Sequence, residues 1–152
     1  MTGYEYGYYL GVLISIVCLF LIPTIFFLIT QQKTLKSIQP GNRLMDPGMV
    51  WLQLIPLFGI VWQFIVVSRI SDSLKNEFNS WANDNSILGD TESLNLTNRR
   101  PTYDIGLAYC ILFCCSIIPF LGFFASLAGL VCWILYWVKL SEFKNKITRR
   151  GY

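Results

Sequence analysis

The sequence predicts an all-α integral membrane protein that forms a single membrane domain over residues 1–152. Its hydrophobic fraction is 54% and its mean hydropathy is +0.50, whereas charged residues make up only 14%, against about a quarter in a typical soluble domain. Four apolar stretches lie at residues 8–30, 48–68, 104–118 and 122–138, and Asp104 at an edge is the one charged residue in them. We therefore expect four membrane-embedded helical segments.

The first stretch is long enough to cross a bilayer. Residues 8–30 would form a helix of about 34 Å at 1.5 Å per residue, against a hydrocarbon core of about 30 Å. Pro23 lies inside this stretch, so we expect a kink there. Residues 1–7 carry Glu5 and no Lys or Arg. Because the positive segment of a signal peptide is missing, we expect a retained helix.

The second stretch has two interpretations, because Pro56 and Gly59 interrupt its middle. It is either a kinked span or a segment that turns at residues 55–59 and re-enters the side from which it came. The apolar residues that follow recur at a helical spacing: Ile70, Leu74, Phe78 and Trp81. This spacing predicts a helix that continues along the membrane surface, followed by an exposed loop at residues 82–103.

The third and fourth stretches are separated only by residues 119–122, so they are expected to form a tight helical hairpin. Their arms are short, about 22 Å and 25 Å, and would need local thinning of the bilayer to cross it. Residues 139–152 then form a basic amphipathic tail. We expect its cations to contact lipid headgroups; they are Lys139, Lys144, Lys146, Arg149 and Arg150.

A short internal repeat links the two halves of the chain. Ile-Pro-Leu-Phe-Gly at residues 55–59 is matched by Ile-Pro-Phe-Leu-Gly at residues 118–122. Ile-Pro also occurs at residues 22–23, which shows how easily the pair arises in a hydrophobic chain. If the repeat reflects a duplication, it favours a turn between two helices at Pro56.

The basic residues give the orientation, because Lys and Arg collect on the cytoplasmic side. With four full spans, nine of the twelve basic residues and both termini lie in the cytoplasm, and the other three lie outside. With a re-entrant second stretch, all twelve are cytoplasmic and the N-terminus is outside. We prefer four spans because a 19-residue apolar run, here Met49–Val67, usually spans. Both arrangements place the C-terminus in the cytoplasm.

Small residues at helical spacing mark faces on which helices can pack closely. They lie on the first, third and fourth segments: Gly7, Gly11 and Ser15; Gly106, Cys110 and Cys114; Gly122, Ala125 and Gly129. We expect the third and fourth segments to meet along these faces. The face on the first segment is available to a neighbouring helix or to a second copy of the chain.

The composition removes most enzyme chemistry. The chain has no histidine, which excludes catalytic triads, Cys-His pairs and metal sites that use imidazole. The five cysteines lie in apolar stretches and are interpreted as packing residues, so we expect no metal and no cofactor. Neither a phosphate-binding glycine motif nor a nucleic-acid-binding pattern is present. Gln53 and Gln63 are interpreted first as interhelical hydrogen-bonding residues and second as the lining of a water-filled path.

Several segments together resemble a group of small, uncharacterised bacterial inner-membrane proteins. They are residues 32–36, 40–43, 47–51, 54–64, 118–122 and 132–139. The pattern of that group leads us to expect Asn at position 59, where this chain has Gly. The resemblance implies a bacterial plasma membrane and no particular activity.

The leading hypothesis is a non-enzymatic multi-span membrane protein that serves as a subunit or interaction partner of a membrane assembly, through contact with other membrane proteins or with itself. The alternative is a small oligomeric transporter or pore in which Gln53 and Gln63 line the path.

Overall fold

The computed structural model describes residues 3–84, 100–116, 118 and 122–150. The predicted all-α fold is confirmed for these residues. The elements are helix α1 (Gly3–Ser37), a 3-10 helix (Pro47–Leu54), and helices α2 (Phe58–Asp84), α3 (Tyr103–Cys115) and α4 (Gly122–Arg150). Most of the predicted exposed loop at residues 82–103 lies outside the described residues, although its first three residues belong to α2.

Two helices, α1 and α4, are long and apolar enough to cross a membrane. The preferred arrangement of four full spans is not confirmed. Helix α3 has 13 residues, which gives about 20 Å, well short of a hydrocarbon core of about 30 Å. Helix α1 runs for 35 residues and passes through Pro23 without ending.

The second apolar stretch is not one helix. It starts as the 3-10 helix, whose first turn is capped by the carboxylate of Asp46 with Pro47 following, an arrangement that suits a helix start. The chain then turns at residues 55–57, and Leu57 has a φ of 65°. This left-handed conformation is unusual for a side chain with a Cβ. Helix α2 begins at Phe58 and continues through the predicted surface helix as one element.

The two Ile-Pro turns of the internal repeat share their backbone hydrogen bonds. The N–H of Ile55 donates to the carbonyl of Leu52, and the N–H of Ile118 donates to the carbonyl of Cys115, at 3.2 and 3.1 Å. Four residues after each isoleucine, a glycine N–H donates back to the isoleucine carbonyl, at 2.7 Å for Gly59 and 2.8 Å for Gly122. Because these bonds repeat at equivalent positions, the match between the two sequences extends to local structure.

Both turns also need glycine for the same reason. A Cβ on Gly59 would overlap the carbonyl oxygen of Gln53, and a Cβ on Gly122 would lie 2.6 Å from that of Ser116. In each case the obstructing oxygen belongs to the backbone six residues earlier, so it cannot move aside as a side chain could. The Asn expected at position 59 from the family pattern therefore does not fit this backbone.

The buried core lies at one end of the molecule. It combines the second half of α1, including Phe27 and Leu35, with Ile70 and Leu74 of α2 and with Tyr136 of α4. The 3-10 helix packs between α1 and α2, and α3 packs on both α2 and α4. By contrast, residues 5–22 of α1 are exposed along their whole length.

Candidate functional site

The polar residues nearest the core join helices to one another. Gln31 of α1 is fully buried, and its Oε1 accepts a 2.7 Å hydrogen bond from Nε2 of Gln53 in the 3-10 helix. The same nitrogen donates to the carbonyl of Val50 at 3.1 Å. A second bond joins the same two elements, from the indole of Trp51 to Oε1 of Gln32. Gln53 thus makes an interhelical hydrogen bond.

Gln63, the other candidate for a polar path, lies on α2 and is buried. Among the residues that the structure describes, its Nε2 has no hydrogen-bond partner. The neighbouring Trp62 donates from its indole to the carbonyl of Met49 at 2.9 Å, which fastens α2 to the start of the 3-10 helix. The structure therefore gives Gln53 a bonding partner on another helix and leaves the amide nitrogen of Gln63 without one.

The loop after α1 is bonded to the second half of α2. The carboxylate of Glu77, which is 1% exposed, accepts hydrogen bonds from the backbone N–H of Gln39 at 3.1 Å and from Nδ2 of Asn42 at 2.8 Å. The backbone N–H of Leu44 donates to Oγ of Ser73 at 2.9 Å. Because a buried carboxylate is costly unless it is hydrogen-bonded, these contacts hold the loop and α2 on the same side of the molecule.

The polar turn at residues 42–46 uses its side chains for structure. Arg43 donates to the carbonyls of Lys36 and Ile38, and so caps the C-terminus of α1, where carbonyls lack helical partners. Asn42 is bonded to Glu77 and Asp46 caps the 3-10 helix. These contacts account for the residue types in the turn.

The small residues of α3 and α4 lie where these helices pack. Cys110, Ala125 and Gly129 are buried. A Cβ on Gly106 would lie 2.5 Å from Cγ1 of Val67 and 2.9 Å from Cε2 of Tyr136, and a Cβ on Gly129 would lie 3.3 Å from Cβ of Leu112. At Gly106 the backbone of α3 therefore approaches both α2 and α4 closely.

The small residues of α1 lie on an open surface. A shallow apolar groove runs along this helix between Gly7 and Leu19, over Gly11 and Ser15. A Cβ added to Gly7 or Gly11 would meet nothing within 4 Å. The only hydrogen bond of the Ser15 hydroxyl in the structure is to the carbonyl of Gly11 in the same helix. The close-approach face on α1 has no partner within the described part of this chain.

The apolar part of α1 and the apolar part of α4 end at the same level. The indole of Trp137 donates to Oγ1 of Thr30 at 2.9 Å, and Phe27 contacts both Trp133 and Trp137 edge-on. Past this level the helices become polar, with Lys33 on α1. Tryptophans collect where hydrocarbon meets headgroups, so the bonded pair is a candidate for one membrane boundary.

The cations expected to contact headgroups lie past this boundary on α4. Lys139, Lys146 and Arg149 are exposed, and Lys144 is half-buried. Lys146 lies 3.6 Å from the carboxylate of Glu142. Ile147 on the opposite face is buried, so the tail is amphipathic and packs on the core. The side chain of Arg150 lies outside the described residues.

The cysteines are free thiols. Cys110 is buried, Cys114, Cys115 and Cys132 are half-buried, and Cys18 is exposed on α1. Within the described residues, no group of three or more His, Cys, Asp or Glu side chains could hold a metal ion.

Gln31 and Glu77 were not identified from the sequence as important. Gln31 follows directly on an apolar run and looks like the start of a loop, whereas α1 continues to Ser37 and buries it. Glu77 occurs within a helix that carries other polar residues. One signal for Glu77 was available, because it lies one position before the apolar Phe78 and three after Leu74, at the edge of the buried face. Comparison with known protein families, with characterised proteins and with solved structures finds no match for this chain.

Proposed function

We propose that this chain is a non-enzymatic protein of the bacterial inner membrane that acts as a subunit or interaction partner of a membrane assembly. The observation that carries the proposal is the exposed first half of α1, where residues 5–22 make up an apolar helix with a groove formed around Gly7, Gly11 and Ser15. Helices in lipid associate by close packing through such small residues. The buried side chains of Gln31 and Glu77 and the half-buried side chain of Gln53 meanwhile join elements of the fold.

The proposed topology has one complete crossing, by α1, and two hairpins that enter and leave on the cytoplasmic side. The first hairpin is the 3-10 helix with the start of α2, and the second is α3 with α4. The hydrogen bonds from Gln39, Asn42 and Leu44 to α2 support this arrangement. Four full spans would place the loop at residues 38–46 and the second half of α2 on opposite sides of the bilayer, where they could not bond.

The charge distribution supports the same topology. In this arrangement all twelve basic residues lie on one side, which fits the tendency of Lys and Arg to stay in the cytoplasm. The exposed Tyr6, Tyr8 and Tyr9 then lie near the opposite surface, where tyrosine side chains are common. We therefore propose a multi-segment inner-membrane protein with a cytoplasmic C-terminus and an external N-terminus.

Labelling of introduced cysteines with a membrane-impermeant maleimide tests the topology. Gly41→Cys is suitable because a Cβ there meets nothing within 4 Å, and Asn145→Cys and Tyr6→Cys are at exposed positions. In intact cells we expect Tyr6→Cys to react, and Gly41→Cys and Asn145→Cys to react only after the membrane is opened. The unsubstituted chain gives the background from the five native cysteines. Reaction of Gly41→Cys in intact cells would refute the topology.

Association through α1 is tested by affinity purification in a mild detergent. We expect the wild-type chain to bring down a second copy or another membrane protein, and Gly11→Leu to lose it because the groove is filled. Val17→Phe adds bulk to the same helix on a face away from the groove and is the matched control. A wild-type chain that purifies only as a monomer would contradict the proposal.

A further inference from the structure

The described segments end at different distances from the boundary marked by the Trp137–Thr30 hydrogen bond. Above that boundary, residues 3–30 of α1 extend about 40 Å, and residues 122–138 of α4 extend about 25 Å. Helix α2 enters by no more than the ten residues from Phe58 to Val67, at most about 15 Å, because Val67 already packs beside Gly106 and Tyr136 near the boundary. One leaflet of the hydrocarbon core is about 15 Å thick and the whole core about 30 Å.

Large apolar side chains beside both turns are exposed. Leu57 at the first turn is 83% exposed, and Phe123 and Phe124 after the second turn are 75% and 74% exposed. No charged residue occurs between Asp46 and Arg69, or between Asp104 and Lys139. A turn that emerged among headgroups would place these side chains in water. In the proposed topology Leu57, Phe123 and Phe124 therefore belong in hydrocarbon.

It follows that the cross-section of the protein narrows across the bilayer. At the cytoplasmic boundary α1, α2, α3 and α4 pack together, and the 3-10 helix contacts α1 and α2. Its Gln53 and Trp51 bond to Gln31 and Gln32, which directly follow Thr30 on α1. Near the midplane three remain, because the first hairpin has ended. Close to the outer surface α1 is the one described segment left. Each helix occupies a cylinder about 10 Å across, so the protein displaces several times more lipid area in the cytoplasmic leaflet than in the outer one.

We propose that this wedge shape makes the protein prefer membranes whose cytoplasmic leaflet is convex, and that its lipid partner is an anionic leaflet of that curvature. A convex leaflet has its headgroups spread apart, which accommodates the wide end of the wedge with less strain, and shallow apolar insertions are sensitive to curvature in this way. The exposed Lys139 and Arg149 lie beside the wide end and attract anionic headgroups. The inference rests on the topology proposed above and adds a lipid-shaping or lipid-sensing role to it.

The test uses the full chain, labelled through Asn145→Cys and reconstituted into vesicles of phosphatidylethanolamine and phosphatidylglycerol with a broad range of diameters. Protein density per membrane area is measured vesicle by vesicle, for molecules whose label is outside. We expect density to rise several-fold from the largest to the smallest vesicles. An equal density at all diameters would overturn the inference.

Two variants test whether the first hairpin contributes to the wedge. Leu57→Asp places a charge at the exposed turn and should expel it from the hydrocarbon, so that the rise in density towards small vesicles falls by at least half. Leu44→Asp makes the same chemical change in the polar loop, where Leu44 is exposed, and should behave as wild type. If Leu57→Asp, with unchanged helicity in detergent, sorts like wild type, the first hairpin is not part of a wedge.

The wild-type size dependence decides the inference even if Leu57→Asp does not fold. In the same vesicles, the accessibility of Gly41→Cys tests the proposed topology separately from the curvature preference. Labelling of positions 41 and 145 from opposite sides means that the topology itself has failed. Labelling from one side with no size dependence means that the topology stands and the curvature preference does not.

Discussion

The small-residue faces of α1 and of the α3–α4 pair have similar sequences and different surroundings. On α3, Gly106 lies in a contact so close that a Cβ would overlap both Val67 and Tyr136, whereas a Cβ on Gly7 or Gly11 of α1 would meet nothing. Small residues at helical spacing thus show that a backbone can be approached closely, but they do not identify the partner. For α3 and α4 a short connection supplies the partner. For α1 the described residues supply no such partner, and the proposed one is another chain.

Gly106→Leu is expected to have the largest effect on stability. The new side chain would enter the contact among three helices, where the nearest atom to its Cβ is Cγ1 of Val67 at 2.5 Å. Overpacking of this kind costs about 3 kcal/mol at the upper end of its usual range. The free energy of unfolding can be measured by SDS titration in a mild detergent. Gly41→Leu, at a position with open space, should stay within about 0.5 kcal/mol of wild type.

Gly129→Leu should have an intermediate effect. A Cβ at this position would lie 3.3 Å from Cβ of Leu112, so the two helices must move slightly apart to admit a larger side chain. We expect a loss of about 1–2 kcal/mol, and less than about 1 kcal/mol for Gly129→Ala. Unfolding by SDS that is unchanged in Gly129→Leu would argue that α3 and α4 do not pack through this face.

Gln53→Leu should lower the free energy of unfolding by less, because hydrogen bonds between helices in membrane proteins contribute about 0.6 kcal/mol on average and up to about 1.7 kcal/mol. The lost contact is the 2.7 Å bond to Gln31. Gln63→Leu is the matched comparison and should be neutral or slightly stabilising, since its buried amide nitrogen has no partner. A larger loss of unfolding free energy for Gln63→Leu than for Gln53→Leu would mean that Gln63, and not Gln53, makes the stabilising contact. A change of ion or solute flux in liposomes on Gln63→Leu would instead support the pore alternative.

Gly11→Leu should leave stability within about 0.5 kcal/mol of wild type, because a side chain there enters open space. This is the smallest expected effect on folding, in direct contrast to the loss expected for Gly106→Leu. The same variant should still reduce association in detergent. A large loss of stability in the isolated chain would show that the face on α1 has an internal partner.

The sequence predicted the helical class and offered a turn at residues 55–59 as one of two interpretations, because these depend on composition and on local residues such as Pro56 and Gly59. The choice between a span and a re-entrant segment needed information from distant parts of the chain. The hydrogen bond between Asn42 and Glu77 joins residues 35 positions apart, and no local sequence pattern predicts it. The length of the second stretch favoured a span, whereas the contacts made by its neighbours favour a turn.

The burial of Gln31 could likewise not be predicted from the neighbouring sequence. A glutamine at the end of an apolar run looks like the start of a loop. Whether it is buried depends on whether a hydrogen-bonding partner such as Gln53 lies beside it. The repeat of the Ile-Pro turn was the more informative sequence signal. Its two copies share backbone bonds at Gly59 and Gly122, which the similarity of five residues alone could not establish.

The uncharged apexes of the two turns have a consequence for how the chain enters the membrane. A hairpin whose tip stays in hydrocarbon requires no polar loop to be carried through the bilayer, and the translocation of charged groups is the costly part of insertion. In the proposed topology neither apex lies near a charged residue, since none occurs between Asp46 and Arg69 or between Asp104 and Lys139. Neither hairpin then requires a lysine or arginine to cross the bilayer, and all twelve basic residues stay on the side where they were synthesised.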